Sequence, residues 1–265
     1  MAYSELLYDV SDRIATITIN RPERMNAWTD VLETELRQAI AQAVESRQVR
    51  AIILTGAGRA FCAGADMERL KKSAGGAARA PIVAPRAEDT AYKYSYLLGV
   101  PKPLIAAING PAAGVGLCLA LFCDFRFMAE GAVLTTAYAR RGVAAEYGVA
   151  WILPRLIGLM NATDLLLSGR KVSAEEAASM GLVRLLPSDG FVEEIRRRIQ
   201  EMTTHCSPRS ISVIKRQLLA GTRQSLADAC HLADIEMTLA AGSADFREGV
   251  AHFIEKRAPN FTGEV

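Results

Sequence analysis

The spacing of apolar positions changes along this chain, and each change marks an element. From Ile14 to Ile19 apolar and polar residues alternate. Ala15, Ile17 and Ile19 share one side and Thr16 and Thr18 the other, which predicts a strand. Over residues 30–47 the spacing becomes helical. Leu32, Leu36, Ala39, Ile40 and Ala43 fall on one face, and Asp30 with Glu33 gives a capping-box-like start. Residues 51–55 read as a buried-type strand ending in Gly56-Ala57-Gly58, and Leu104 to Ile108 as another ending in Asn109-Gly110. Strand, helix and strand in that order predict right-handed crossovers and an α/β core.

Residues 71–89 break the pattern. Gly75, Gly76, Pro81, Pro85 and several alanines make a poor helix and a poor strand, so a mobile surface loop is expected, either a substrate lid or an inert variable loop. Ser173-Ala174-Glu175-Glu176 reads as a capping box opening a short helix that Gly181 closes. From about Phe191 onward only helical patterns recur. Arg196-Arg197-Arg198 is expected on a solvated helix face, and residues 207–265 as a helical appendage suited to packing on a neighbouring subunit.

Composition narrows the setting. A chain of 265 residues with 50% hydrophobic and 23% charged residues can bury a sizeable core as one large domain, or a domain plus an appendage. A formal net charge of +2 does not point to nucleic acid or to a membrane surface. Five cysteines without a CxxC pair suit free thiols in a reducing compartment. The N-terminal stretch does not resemble a secretory signal, and the most apolar run, residues 115–122, is too short to span a bilayer. A soluble, cytoplasmic protein is expected. His205, His231 and His252 lack metal-ligand spacing, and neither a metal site nor a Ser-His-Asp arrangement is expected.

Candidate chemistry concentrates in two glycine-bearing stretches. Gly114-Val115-Gly116 follows a strand and a turn and precedes an apolar helix, whose first N–H groups have no internal partner. Ala60-Phe61-Cys62-Ala63-Gly64-Ala65-Asp66 also follows a strand, and its small residues leave backbone N–H groups accessible. Either stretch alone is equally a packing turn. Together they form the pattern of a two-donor hole for a carbonyl oxygen gaining negative charge.

Over nearly its whole length the chain resembles the crotonase (enoyl-CoA hydratase/isomerase) superfamily. The resemblance rests on Asn20-Arg21-Pro22 with Asn26-Ala27, on Thr55-Gly56 and Ala63-Gly64-Ala65-Asp66, and on Lys102-Pro103-Leu104-Ile105-Ala106-Ala107-Ile108-Asn109-Gly110. It continues through Leu166-Leu167-Ser168-Gly169-Arg170, Ala174-Glu175-Glu176-Ala177, Gly181-Leu182-Val183 and Phe253-Ile254-Glu255-Lys256-Arg257. It implies an α/β fold, a crotonase-like spiral of ββα turns over residues 1–200. A C-terminal helical trimerisation region would occupy 201–265 and give a homotrimer or a homohexamer. It also implies an acyl-CoA substrate, with coenzyme A part of that substrate and no separate cofactor. The hole donors would be the Ala65 and Val115 amides, although the family usually has glycine at the second position. Adenine contacts would fall on Ala63, Asp66 and Met67. Arg24 and, from a neighbouring subunit, Lys256 would meet coenzyme A phosphates, with Phe253 near the adenine.

The departures bear on the reaction. The two acid/base glutamates of similar hydratases fall here at Cys118 and Tyr138. Water addition needs a base on the water and an acid at the α-carbon, and neither residue substitutes well at its usual pKa. Glu146 occupies the position where relatives similar to dienoyl-CoA isomerases and ring-opening epoxide isomerases carry their working carboxylate. Desolvation in its alanine-rich segment would make a carboxylate a better proton carrier, which suits shuttling a proton between carbons of an enolate. Glu146 as a structural partner of Arg140 or Arg141 is the competing reading. Trp28 and Trp151, with Cys118 and Tyr138, are expected to line the acyl pocket or simply the core. Double-bond isomerisation is the expected reaction, with enoyl-CoA hydration as the alternative. A non-catalytic acyl-CoA-binding protein is the alternative of another class.

Overall fold

A computed structural model describes residues 3–68, 71, 90 and 92–263. The loop expected over residues 71–89 therefore lies outside the described residues, apart from Lys71.

Strand β1 (Leu6–Ser11) pairs antiparallel with β2 (Ile14–Ile19), which runs parallel to β3 (Ala51–Gly56). β4 (Leu104–Ile108), β6 (Phe125–Ala129) and β9 (Arg184–Leu186) extend the parallel sheet in the order β1-β2-β3-β4-β6-β9. A second sheet joins β5 (Ala112–Ala113), β7 (Val133–Thr135) and β8 (Val172–Ser173). The successive turns stack into two layers, and both faces of the central strands are covered. Ala15, Ile17 and Ile19 face the larger cluster of buried residues, while Ile14, Ile53 and Ile105 face a smaller one with Phe191, Ile195 and Ile199. Parallel strands buried on both faces read as continuous apolar runs, as residues 51–55 do.

Helix α1 (Asp30–Glu45) buries the five apolar positions expected of it. Its cap is Thr29 and not Asp30: the Thr29 hydroxyl accepts the Leu32 N–H at 3.0 Å. Thr29 has extended backbone angles, the usual state of a capping residue, and Asp30 is already inside the helix. α2 (Val115–Leu121) is short and wholly buried. α3 (Val149–Ser168) is broken at Gly158, whose backbone leaves the helical region at φ 75° and ψ 161°. It is long and apolar enough to cross a bilayer by length and composition, which the sequence reading overlooked. Ile152, Leu153, Ile157 and Leu165 nevertheless bury against the core.

Helix α4 (Ala174–Ser179) keeps half of its expected capping box. The Ser173 hydroxyl accepts the Glu176 N–H at 3.2 Å, but the Glu176 carboxylate takes two hydrogen bonds from Arg170. Four helices end the chain: α5 (Phe191–His205), α6 (Pro208–Gly221), α7 (Leu226–Ala241) and α8 (Ala244–Glu255). On α5 the arginine run divides. Arg197 and Arg198 pair with Glu194 on the solvated face, whereas Arg196 reaches under the sheet to the Thr16 hydroxyl at 2.8 Å and the Ser11 carbonyl at 3.0 Å. α6 is tied to the core by Lys215, which donates to the Lys102 carbonyl at 2.8 Å and pairs with Asp124 at 2.5 Å. Asp124 in turn accepts the Leu104 N–H at the start of β4, at 2.7 Å.

Candidate functional site

β3 and β4 lie side by side and parallel, so the segments leaving their C-terminal ends emerge together. The Cys62 N–H donates to the Pro111 carbonyl at 3.1 Å, and the Ala113 N–H donates to the Cys62 carbonyl at 3.0 Å. The first stretch is therefore hydrogen-bonded to the residues that lead into Gly114-Val115-Gly116. On its other flank the first stretch pairs with Trp28. The Trp28 N–H donates to the Gly64 carbonyl at 2.8 Å, and the Asp66 N–H to the Trp28 carbonyl at 3.0 Å. In a trans peptide the carbonyl and the following N–H point opposite ways. With the Gly64 carbonyl turned to Trp28, the Ala65 N–H is turned away from it. The same reasoning applies to Val115: the Gly114 carbonyl accepts the Cys118 N–H at 2.9 Å, so the Val115 N–H points out of the start of α2. Among the described residues neither amide is seen bonded to an acceptor. A helix start leaves such amides free by construction.

Two glycines make this approach feasible. A Cβ on Gly116 would lie 2.3 Å from the Cys62 carbonyl oxygen and 2.7 Å from the Cys62 Cβ. Gly64 has φ +104°, which disfavours any side chain there, and the Arg141 guanidinium lies beside it, 3.7 Å from where a Cβ would be. The loops behind are fixed by two asparagines that the sequence reading recorded only as motif letters. Asn26 is fully buried, accepts the Arg21 N–H at 2.9 Å and donates to the Ala57 and Ala60 carbonyls at 2.9 and 2.7 Å. Asn109 accepts the Gly56 N–H at 3.1 Å and donates back to the Gly56 carbonyl at 2.8 Å. Their signal in the sequence was an asparagine after a strand or turn, next to glycine or a small residue.

Cys118 lies in the first turn of α2, fully buried. Tyr138 and Glu146 come from the segment between β7 and α3. That segment starts beside the second stretch, because the Gly114 N–H donates to the Thr135 carbonyl at 3.2 Å. The Thr136 hydroxyl and Arg140 pin it to the end of α3, donating to the Leu165 carbonyl at 2.6 Å and the Ser168 carbonyl at 2.8 Å. Burial raises the Cys118 thiol above its ordinary range, and the Glu146 charge raises it further. The Tyr138 hydroxyl is raised by burial and then by the charges of Cys118 and Glu146. Cys118 and Tyr138 thus both respond to the Glu146 carboxylate. Glu146 itself is half-buried, three residues before α3, and its carbonyl accepts the Val149 N–H at 3.1 Å.

Of the remaining candidates, Ala63 and Asp66 flank the Ala65 amide, and Met67 is exposed. The Asp66 carboxyl is held below the ordinary carboxylate range by the Glu68 N–H and by Arg21, its partner at 3.1 Å, with Arg24 adding positive charge nearby. Arg21 also pairs with Glu5 at 3.1 Å, a linking role that the sequence did not disclose. Phe253 and Lys256 stand exposed at the end of α8. Trp28 is fully buried behind Ala65, and its indole N–H has no partner among the described residues. Its ring packs edge-on to Tyr94 at 6.0 Å, and Tyr94 to Tyr147 at 4.8 Å. Trp151 lines a cleft of about 550 Å³ together with Leu98, Phe122, Tyr147, Leu219 and Arg223. Among the described residues no group of His, Cys, Asp or Glu could hold a metal ion.

Residues 9–264 match the family model described as enoyl-CoA hydratase/isomerase. The chain is 36% identical to a probable enoyl-CoA hydratase of Rhodobacter capsulatus over 99% of this chain and 100% of that protein. It is 34% identical to the 1,2-epoxyphenylacetyl-CoA isomerase of Escherichia coli over 98% of each. Its structure resembles the crystal structure of a probable enoyl-CoA hydratase/isomerase from Mycobacterium abscessus, with a TM-score of 0.85 and 33% identity, covering 98% of this chain and 99% of that one.

Proposed function

The chain belongs to the enoyl-CoA hydratase/isomerase family, enzymes acting on acyl-CoA thioesters, and from that premise we propose that it moves a carbon–carbon double bond through a thioester enolate. In this reading the Ala65 and Val115 amides hold the thioester oxygen. They favour the enolate over the neutral thioester because two donors already in place need no reorganisation as charge develops. Glu146 removes a proton from one carbon and returns it to another.

The observation that carries the reading is the environment of Cys118 and Tyr138. By the family resemblance both fall at the positions of the hydratase glutamates, and burial favours the protonated form of both. Neither can act there as a base on water. One carboxylate remains within electrostatic reach, and isomerisation requires one, since the group that takes the proton can give it back. Ala63, Asp66, Met67 and Arg24 are assigned to coenzyme A, with Phe253 and Lys256 contributed from a second copy. A trimer or a pair of trimers is proposed, supported by exposed apolar residues on α7 and α8, including Met237, Phe253 and Ile254.

The test is a pair of absorbance assays with CoA thioesters. A 3-enoyl-CoA should gain conjugated-thioester absorbance, and Glu146→Gln should abolish that gain while leaving acyl-CoA binding nearly unchanged. A protein that instead consumes the absorbance of a 2-enoyl-CoA is a hydratase. One silent in both assays, yet binding acyl-CoA tightly, is a carrier. A Glu146→Gln variant with full isomerase activity removes Glu146 from the mechanism.

A further inference from the structure

The cleft beside Trp151 lies at the far end of α2 from the proposed hole. Val115 opens that helix and Phe122 closes it. At about 1.5 Å of rise per residue, Phe122 stands about 10 Å from the Val115 amide. The floor of the cleft adjoins the Glu146 segment through Tyr147 and Gly148, and a Cβ on Gly148 would lie 3.7 Å from the Phe122 ring. Leu98, Phe122, Tyr147 and Trp151 give it a largely apolar lining, and at about 550 Å³ it has the size usual for small-molecule sites. Tyr92, Lys93 and Ser95 line another side, and the C-terminal region supplies the rest. Lys215 locks α6 to Asp124, and Leu219, four residues on, turns from the same helix face into the cleft, with Arg223 at its rim.

We propose that this cleft receives the distal part of the acyl group and makes the enzyme select acyl chains of about eight carbons or more, with Leu219 a specificity-determining residue. The inference rests on the thioester reading of the two amides and adds the length of the substrate to it. An extended chain advances about 1.2 Å per bond, by analogy with the polypeptide backbone. A four-carbon acyl group anchored at Val115 therefore ends well short of Phe122, whereas the eighth carbon arrives there. Beyond that point each added methylene leaves water for an apolar wall, which strengthens binding about fourfold per methylene.

Calorimetry with saturated acyl-CoA thioesters of four to twelve carbons tests this without any turnover. Affinity should change little between four and six carbons and then rise at least tenfold from eight to twelve. Leu219→Trp should reduce the dodecanoyl-to-butyryl affinity ratio at least tenfold. Leu219→Ala, which needs no extra space, should move the onset of the rise to longer chains. Affinity independent of length, or a length dependence that both Leu219 variants leave unaltered, overturns the inference while sparing the thioester reading. Failure of every acyl-CoA to bind overturns that reading itself, and the inference with it.

Discussion

Gly116→Ala is the sharpest perturbation the site offers. The added methyl would meet the Cys62 carbonyl oxygen at 2.3 Å and the Cys62 Cβ at 2.7 Å, distances that real side chains do not sustain. The obstacle is main chain of the neighbouring stretch, held by the Ala113 N–H bond to that same carbonyl, so no flexible side chain can absorb the clash. The stretches must part by roughly an ångström. Overpacking of this kind costs about 1–3 kcal/mol. For a chain of 265 residues that corresponds to a fall in Tm of about 2–10 °C. The effect on turnover should be larger. Parting the stretches takes one amide off the thioester oxygen, and losing one such donor lowers kcat by about 10²–10³. Gly242→Ala is the control: its nearest neighbour would be the Leu239 carbonyl at an ordinary 3.8 Å, so Tm and kcat should both hold. Steady-state kinetics beside a thermal melt separate the two effects. A folded Gly116→Ala enzyme with undiminished kcat would falsify the claim that these two amides act on one oxygen.

Other expectations follow from particular contacts. Asn26→Ala removes three hydrogen bonds to the backbone of Arg21, Ala57 and Ala60, and chemical denaturation should show a loss of about 3 kcal/mol as those buried groups lose partners. Thiol titration of the native protein at pH 8 should find Cys206 and Cys230 fast, and Cys62, Cys118 and Cys123 reactive only after unfolding; early labelling of Cys118 would contradict its burial. The Glu248 carboxyl, paired with Arg257, is lowered from 4.5 to about 2. Its stabilising contribution is complete above pH 4.5 and lost as pH falls towards 2, since the unfolded chain takes up the proton first. Glu248→Gln should therefore melt below the parent at pH 6 and converge with it at pH 2, and parallel curves would argue against the pairing.

Strands and helices were legible wherever a periodic pattern ran uninterrupted. Ile14–Ile19 and Leu104–Ile108 have the expected bounds, and α1 buries the expected face, because apolar spacing and burial are one fact seen twice. Caps were harder. Thr29 and Asp30 are both good capping residues, and only backbone angles decide between them. Arg196 shows the same limit: its neighbours are solvated, but a long side chain with an apolar stem can turn under a sheet edge without any signature in the sequence. At the site, the two glycine stretches could be read locally, whereas the hydrogen bonds between the first and the residues leading into the second join positions about fifty apart. The influence of Glu146 on Cys118 and Tyr138 likewise depends on where β7 and α3 place that segment.

The proposed anion cradle is made entirely of main chain, from amides whose directions are fixed by strand pairing and a helix start. Side chains supply none of its donors, although the Asn26 and Asn109 side chains hold the loops that carry it and Gly116 tolerates no methyl. The proposed proton carrier, Glu146, is by contrast a side chain, borne on the segment before α3. Where charge is received is thus fixed by the fold of the backbone, and which proton moves is left to the identity of one side chain.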